Sequence, residues 1–233
     1  MIAHRGQRWL YLGIPKTATT ALHDYLPTLG GEWISDRQHD MEVPEALRDY
    51  RVFATSLNPY RRAWSLWRMF QGDTAKGAKF TEGADPRVLE NFRAFVEIML
   101  LGPVTTVDLY HWSMSRWLEE VPEGVAVEVL PAERLNEELR RIGVIGPDEE
   151  VPVRNITKGN WLEAYAGPEG AVAADAVRRW AAEDFRRFGY PTRLSVWRWR
   201  AWRAALPDRR RRLPRTLLRR LSALRPWRGS DSR

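Results

Sequence analysis

Six apolar residues, Trp9 to Ile14, form the first uninterrupted hydrophobic run of the chain and predict a buried strand over 9–14. Polar Pro15–Thr20 follows as a loop, and Ala21, Leu22, Tyr25 and Leu26 then recur at helical spacing, predicting a helix over 18–26 that Pro27 ends. After a Gly30-Gly31 turn the pattern repeats, with a strand at Arg51–Leu57 and a helix over 59–70 whose stripe is Ala63, Leu66, Trp67 and Phe70. Gln71–Pro86 is polar and glycine-rich and reads as a loop. Arg87–Leu101 and Thr106–Glu120 read as helices split by Gly102-Pro103, followed by a strand at 125–130, a helix at 131–141 and a long helix at Ala171–Phe188. Strands alternating with helices predict an α/β fold, three layers deep, with a mostly parallel sheet covered on both faces.

Ligands in such sheets sit beyond the carboxyl ends of the strands. The loop after the first strand, Pro15-Lys16-Thr17-Ala18-Thr19-Thr20, places a cation and three hydroxyls at a helix start. Unpaired backbone N–H groups there, a Lys charge and side-chain donors together suit an anion such as phosphate or sulfate. The plainer alternative is a strand–helix turn with a threonine cap. The loop lacks the leading glycine of G-x-x-x-x-G-K-[ST], so it is not a Walker A loop.

Ile14–Thr20 resembles instead the 5′-phosphosulfate loop of sulfotransferases that use 3′-phosphoadenosine 5′-phosphosulfate, including carbohydrate-type and bacterial members, which reads roughly I-P-K-[TS]-[GA]-[ST]-[TS]. Phe53–Phe70 is similar to the family's 3′-phosphate segment, with Asn58, Pro59, Arg62 and Ser65 at matching offsets and Leu57 where the family has arginine. Val125–Leu139, Asn155–Tyr165 and the Asp184-Phe185/Phe188-Gly189-Tyr190 signature extend the resemblance over about residues 8–190.

The resemblance implies a P-loop-like nucleotide site and sulfuryl transfer to a hydroxyl or amine of a carbohydrate or glycolipid. Lys16, Thr17, Ala18, Thr19 and Thr20 would hold the 5′-phosphate, with Lys16 also stabilising the leaving group. Asn58, Ser65 and either Arg61 or Arg62 would hold the 3′-phosphate, and Lys158 would reach the nucleotide. No metal is implied. His39, in the polar segment Asp36–Glu42, is the expected general base, with Glu32 and Glu42 as rivals and an ordinary loop histidine as the plainer alternative. Trp33, beside that segment, suits a sugar platform. A P-loop kinase or NTPase, and a non-catalytic relative that binds membranes or polyanions, stay open as other functions.

Composition changes the picture mainly at one end. The chain has 233 residues, 44% hydrophobic and 29% charged, no cysteine and a net charge of +7, which bound it to one globular core without disulfides or zinc–thiolate sites. Residues 191–233 hold fourteen arginines, no lysine and two aspartates (Asp208 and Asp231), a charge of +12 that leaves residues 1–190 at −5. The expected division is a catalytic domain over 1–190 and a basic Arg/Trp/Leu-rich tail over 191–233. Leu213, Leu217, Leu221 and Leu224 share one helical face of that tail, which suits an anionic membrane surface, with no specific nucleic acid implied. With no signal-peptide shape and no run of eighteen apolar residues, the expected location is the cytoplasm, peripheral to a membrane.

Overall fold

The structure, a computed structural model, describes residues 1–72, 85–102, 109–154, 157 and 159–194. Lys76, Lys79, Asn155, Lys158 and the tail from residue 195 lie outside the described residues.

Five strands form one mixed sheet in the order β3-β1-β2-β4-β5: β1 (Ile2–His4), β2 (Trp9–Leu12), β3 (Glu32–Trp33), β4 (Arg51–Ser56) and β5 (Val127–Pro131). The α/β class holds, but the sheet is not the mostly parallel one the pattern predicts. β2–β4 and β4–β5 are parallel, whereas β1 pairs antiparallel with both β2 and β3. β1 and β3 have three and two residues, too short for a period to register in the sequence.

The helices include α1 (Thr19–Tyr25), α2 (Pro59–Gly72), α3 (Met114–Leu118), α4 (Leu135–Arg141), α5 (Gly167–Trp180) and α6 (Ala182–Phe188), of which α1, α3 and α4 pack with strand residues. The alternation of side chains along a strand splits the core. Trp9, Tyr11 and Phe53 pack with Leu22 and Leu26 near α1 and with Leu139 of α4. Leu10, Leu12, Val52 and Ala54 pack with Met41, Val43 and Leu47 and with Trp117 and Leu118 of α3. A third cluster joins α2, α5 and Phe185 of α6 through Tyr60, Phe70, Phe95, Tyr165 and Val177.

Three expected helices are broken; of Thr106–Glu120, the described part holds a 3-10 turn at Leu109–His111 and then α3, started afresh at the extended Ser113. Arg87–Leu101 divides at Asn91, whose extended backbone and side chain, accepting from Ala94 N, start a new turn that runs into a π-helical stretch at Phe95–Leu100. Ala171–Phe188 divides at Ala181, where φ −110° and ψ 29° leave the helical region. No helix among the described residues is long and apolar enough to cross a membrane.

Candidate functional site

Because β2 and β4 are parallel neighbours, with Leu12 opposite Ala54, the loops that leave them emerge on one edge of the sheet. Side chains tie the two loops together. Thr17 Oγ1 lies 2.8 Å from Thr55 Oγ1, which is itself 3.4 Å from the Tyr11 hydroxyl. Arg62, one turn into α2, donates from Nε to the Pro15 carbonyl at 3.0 Å and from a terminal nitrogen to the Trp112 carbonyl at 2.9 Å.

The loop held this way is strained. Lys16 and Ala18 have φ of 66° and 73°, a left-handed conformation that a residue with a Cβ adopts at a cost. Thr17 between them keeps a negative φ. Alternation of this kind turns successive N–H groups toward one concavity, the backbone arrangement that receives anions. Strain persists only where the surroundings over-determine it, and here the clamps on Ile14, Pro15 and Thr17 do so.

The threonines are not all placed as the sequence suggests. Thr17 Oγ1 and Thr19 Oγ1 both donate to the Ile14 carbonyl and are buried. They shape the loop rather than face a ligand, because a strained backbone turn leaves a carbonyl that needs donors. Thr20 is exposed and Lys16 half-buried, so they and the backbone N–H groups are what the loop presents. α1 has seven residues and Ala18, its N-cap residue, offers no side-chain cap.

His39 lies against this loop. Its Nδ1 is 2.7 Å from the Gly13 carbonyl, and its ring lies 5.8 Å from that of Tyr110 and 6.0 Å from that of Trp117. Burial lowers its pKa; the hydrogen bond to Gly13 works against that shift, and the charges of Arg62 and Lys16 add to it. The approach depends on Gly13, where a Cβ would fall 2.9 Å from the Gln38 carbonyl, 2.9 Å from Thr19 Cγ2 and 3.0 Å from His23 Nε2. Of the rival carboxylates, Glu32 is paired with Arg5 on the outer strand, and Glu42 is exposed.

The second segment also separates structural groups from presented ones. Asn58 is buried and caps α2, its Oδ1 accepting from Tyr60 N at 3.0 Å. Arg62 is 0% exposed, its pKa pushed down to about 10 by burial, and its bonds to Pro15 and Trp112 make it an internal clamp rather than a surface phosphate ligand. That corrects the expectation that either Arg61 or Arg62 stands ready, and leaves half-buried Arg61. Leu57 is buried. Ser65 Oγ lies 3.0 Å from Thr157 Oγ1, and Gly159, with φ 106°, sits where a Cβ would be 3.3 Å from the Trp64 ring. The late loop therefore rests on the same face of α2 as Ser65; Lys158 lies outside the described residues.

The sequence reading missed Glu133. Buried just after β5, it accepts from Asn58 N at 2.8 Å and from the Tyr190 hydroxyl at 3.0 Å, and Tyr190 also meets Ser56 Oγ at 3.0 Å. Burial raises the pKa of Glu133. A carboxylate directly after the third parallel strand was the available signal. Asp184, fully buried, accepts from Met114 N and Ser115 N and so anchors α3, which carries Trp117 beside His39. Among the described residues no group of three or more His, Asp or Glu could hold a metal ion.

Comparison with known protein families, with curated proteins and with solved structures finds no match to the chain.

Proposed function

We propose that the chain is a sulfotransferase that moves a sulfuryl group from 3′-phosphoadenosine 5′-phosphosulfate to a hydroxyl or amine of a carbohydrate or glycolipid, on a three-layer, P-loop-like scaffold. One observation carries the reading: half-buried His39 bonds the Gly13 carbonyl, three residues before the strained Lys16–Ala18 loop, so a base would lie beside an anion cradle. His39 would accept the acceptor's proton at Nε2 while the acceptor oxygen or nitrogen bonds to sulfur. Lys16 and the loop N–H groups would stabilise the charge that gathers on the 5′-phosphate oxygen as its bond to sulfur breaks. Arg61 and Ser65 would meet the 3′-phosphate, a weaker cradle than the family's because Leu57 is buried and carries no charge. The basic tail would hold the enzyme at an anionic membrane surface.

A thermal shift tests this. Adenosine 3′,5′-bisphosphate, the expected product, should stabilise the chain by ~2.7 kcal/mol at a hundred times its Kd. Stabilisation by ATP and not by the bisphosphate would favour the kinase or NTPase reading instead. Vesicle sedimentation of the full chain tests the tail: binding to anionic vesicles should weaken as salt rises.

A further inference from the structure

Trp33 is 46% exposed, although it belongs to the sheet and pairs with Ile2. Its ring is fixed edge-on to His23, with centroids 4.6 Å apart and planes at 64°. In front of it lies a hollow of about 490 Å³ lined by Trp33, Ile34, Ser35, Asp36 and Gln38. This volume is within the range of small-ligand sites, which join an apolar surface to a few placed polar groups. The rim is shaped in advance: Ser35 Oγ donates to Asp40 at 2.6 Å and accepts from Arg37 N at 3.1 Å.

The hollow adjoins the loop that carries the chemistry. The Gln38 carbonyl and His23 Nε2 both crowd Gly13, within 2.9 Å and 3.0 Å of where a Cβ would stand. His39, next in sequence to Gln38, bonds the Gly13 carbonyl. A ring seated in the hollow would therefore lie beside the Gln38-His39 segment that carries the proposed base.

We propose that this hollow seats one pyranose ring of the acceptor, neutral or amine-bearing, and disfavours polyanionic sugars; the proposal rests on the sulfuryl-transfer reading of the adjoining loop. A flat indole offers the apolar face of a sugar a rigid platform at little entropic cost. Hydroxyl and amide groups of Ser35 and Gln38 match a ring edged with hydroxyls better than a bare aromatic. Among the described residues of the lining the one ionisable side chain is Asp36, so a sulfated or uronate ring meets like charge, whereas an amine meets its opposite.

The full chain labelled with 15N at its indoles tests this by NMR titration, the Trp33 signal being assigned with Trp33→Phe. The probes are the methyl pyranosides of glucose, galactose and mannose, glucosamine, a heparin disaccharide and 2-naphthol. A neutral or amino sugar should move the Trp33 signal with a Kd of about 1 mM or tighter. Trp33→Ala should weaken that sugar by roughly tenfold or more, and Trp33→Phe by less. Adenosine 3′,5′-bisphosphate should bind both variants as it binds the parent. The proposal is overturned if no sugar moves the signal, if only the heparin disaccharide or naphthol does, or if Trp33→Ala binds the sugar unchanged. If the sugar binds and the bisphosphate does not bind the parent, the hollow stands as a sugar site and the sulfotransferase reading falls.

Discussion

The Nδ1 of His39 and the carbonyl oxygen of Gly13 are 2.7 Å apart, and this contact fixes the chemistry of the imidazole. A carbonyl can only accept, so Nδ1 carries the proton and Nε2 keeps its lone pair. Burial reinforces the neutral form by lowering the pKa from its ordinary 6.5. A base of this kind is ready at neutral pH and lost in acid.

His39→Ala should therefore lower kcat by about 10²-fold while bisphosphate affinity stays the same. The parent's kcat should hold at neutral pH and fall once the pH passes below 6.5, because the shift is downward. That acid limb should be missing in the variant. An acid limb of the same shape in both proteins would return the role to a carboxylate.

Arg61 and Arg62 are neighbours with different expected phenotypes. Arg62→Ala removes donors from two carbonyls, those of Pro15 and Trp112, and leaves a large void in a fully buried site. The cost should be at least about 3 kcal/mol in urea denaturation. Arg61→Ala should change stability by no more than ~0.5 kcal/mol but weaken adenosine 3′,5′-bisphosphate roughly tenfold. Adenosine 5′-monophosphate, lacking the 3′-phosphate, should not register the change. An Arg62→Ala protein as stable as the parent would remove the clamp from the account.

Lys16 combines charge with strain, and two substitutions separate them. Lys16→Ala keeps the left-handed backbone with its Cβ, and Lys16→Gly relieves it. Both should lose ~10²–10³ in rate, because both lack the ammonium group. Lys16→Gly should be the more stable of the two by up to about 1 kcal/mol, the relief of the left-handed Cβ being partly offset by glycine's extra entropy when unfolded. Equal stabilities in denaturant would show that the loop carries no strain at this position. Turnover within a few-fold of the parent in either variant would remove Lys16 from the chemistry.

Much of this site was legible because its parts are local. The apolar run before Gly13, the loop to Thr20 and the capped start of α2 at Asn58-Pro59 are each set by neighbours in sequence, so pattern and turn chemistry located them. Side-chain direction was not legible. Thr17 and Thr19 look like phosphate donors until the Ile14 carbonyl is seen to claim both, and Arg62 looks exposed until Pro15 and Trp112 are seen to claim it. Each of these partners is a backbone carbonyl, which every residue has and which no pattern marks. β1 was missed because three residues show no period, and with it the antiparallel half of the sheet. Nor does any pattern mark His23, whose Nε2 is buried without a hydrogen-bond partner among the described residues.

His23 should make the fold sensitive to acid. Its ring lies between Tyr11 and Trp33, with Nε2 against Gly13, and burial, the positive chain terminus and His39 lower its pKa from 6.5 to about 4. In the unfolded chain the group takes up its proton near 6.5, so between 6.5 and about 4 the unfolded state binds more protons. Stability from this residue is thus fully present above 6.5 and lost as the pH falls toward 4. Allowing for water that screens part of the ring, the loss is on the order of 2 kcal/mol. Denaturant midpoints measured from pH 7.5 to 4.5 should fall for the parent. In His23→Leu, which cannot protonate, the fall over that interval should be shallower. Parallel midpoint curves for the two proteins would show that the acid sensitivity lies in other groups.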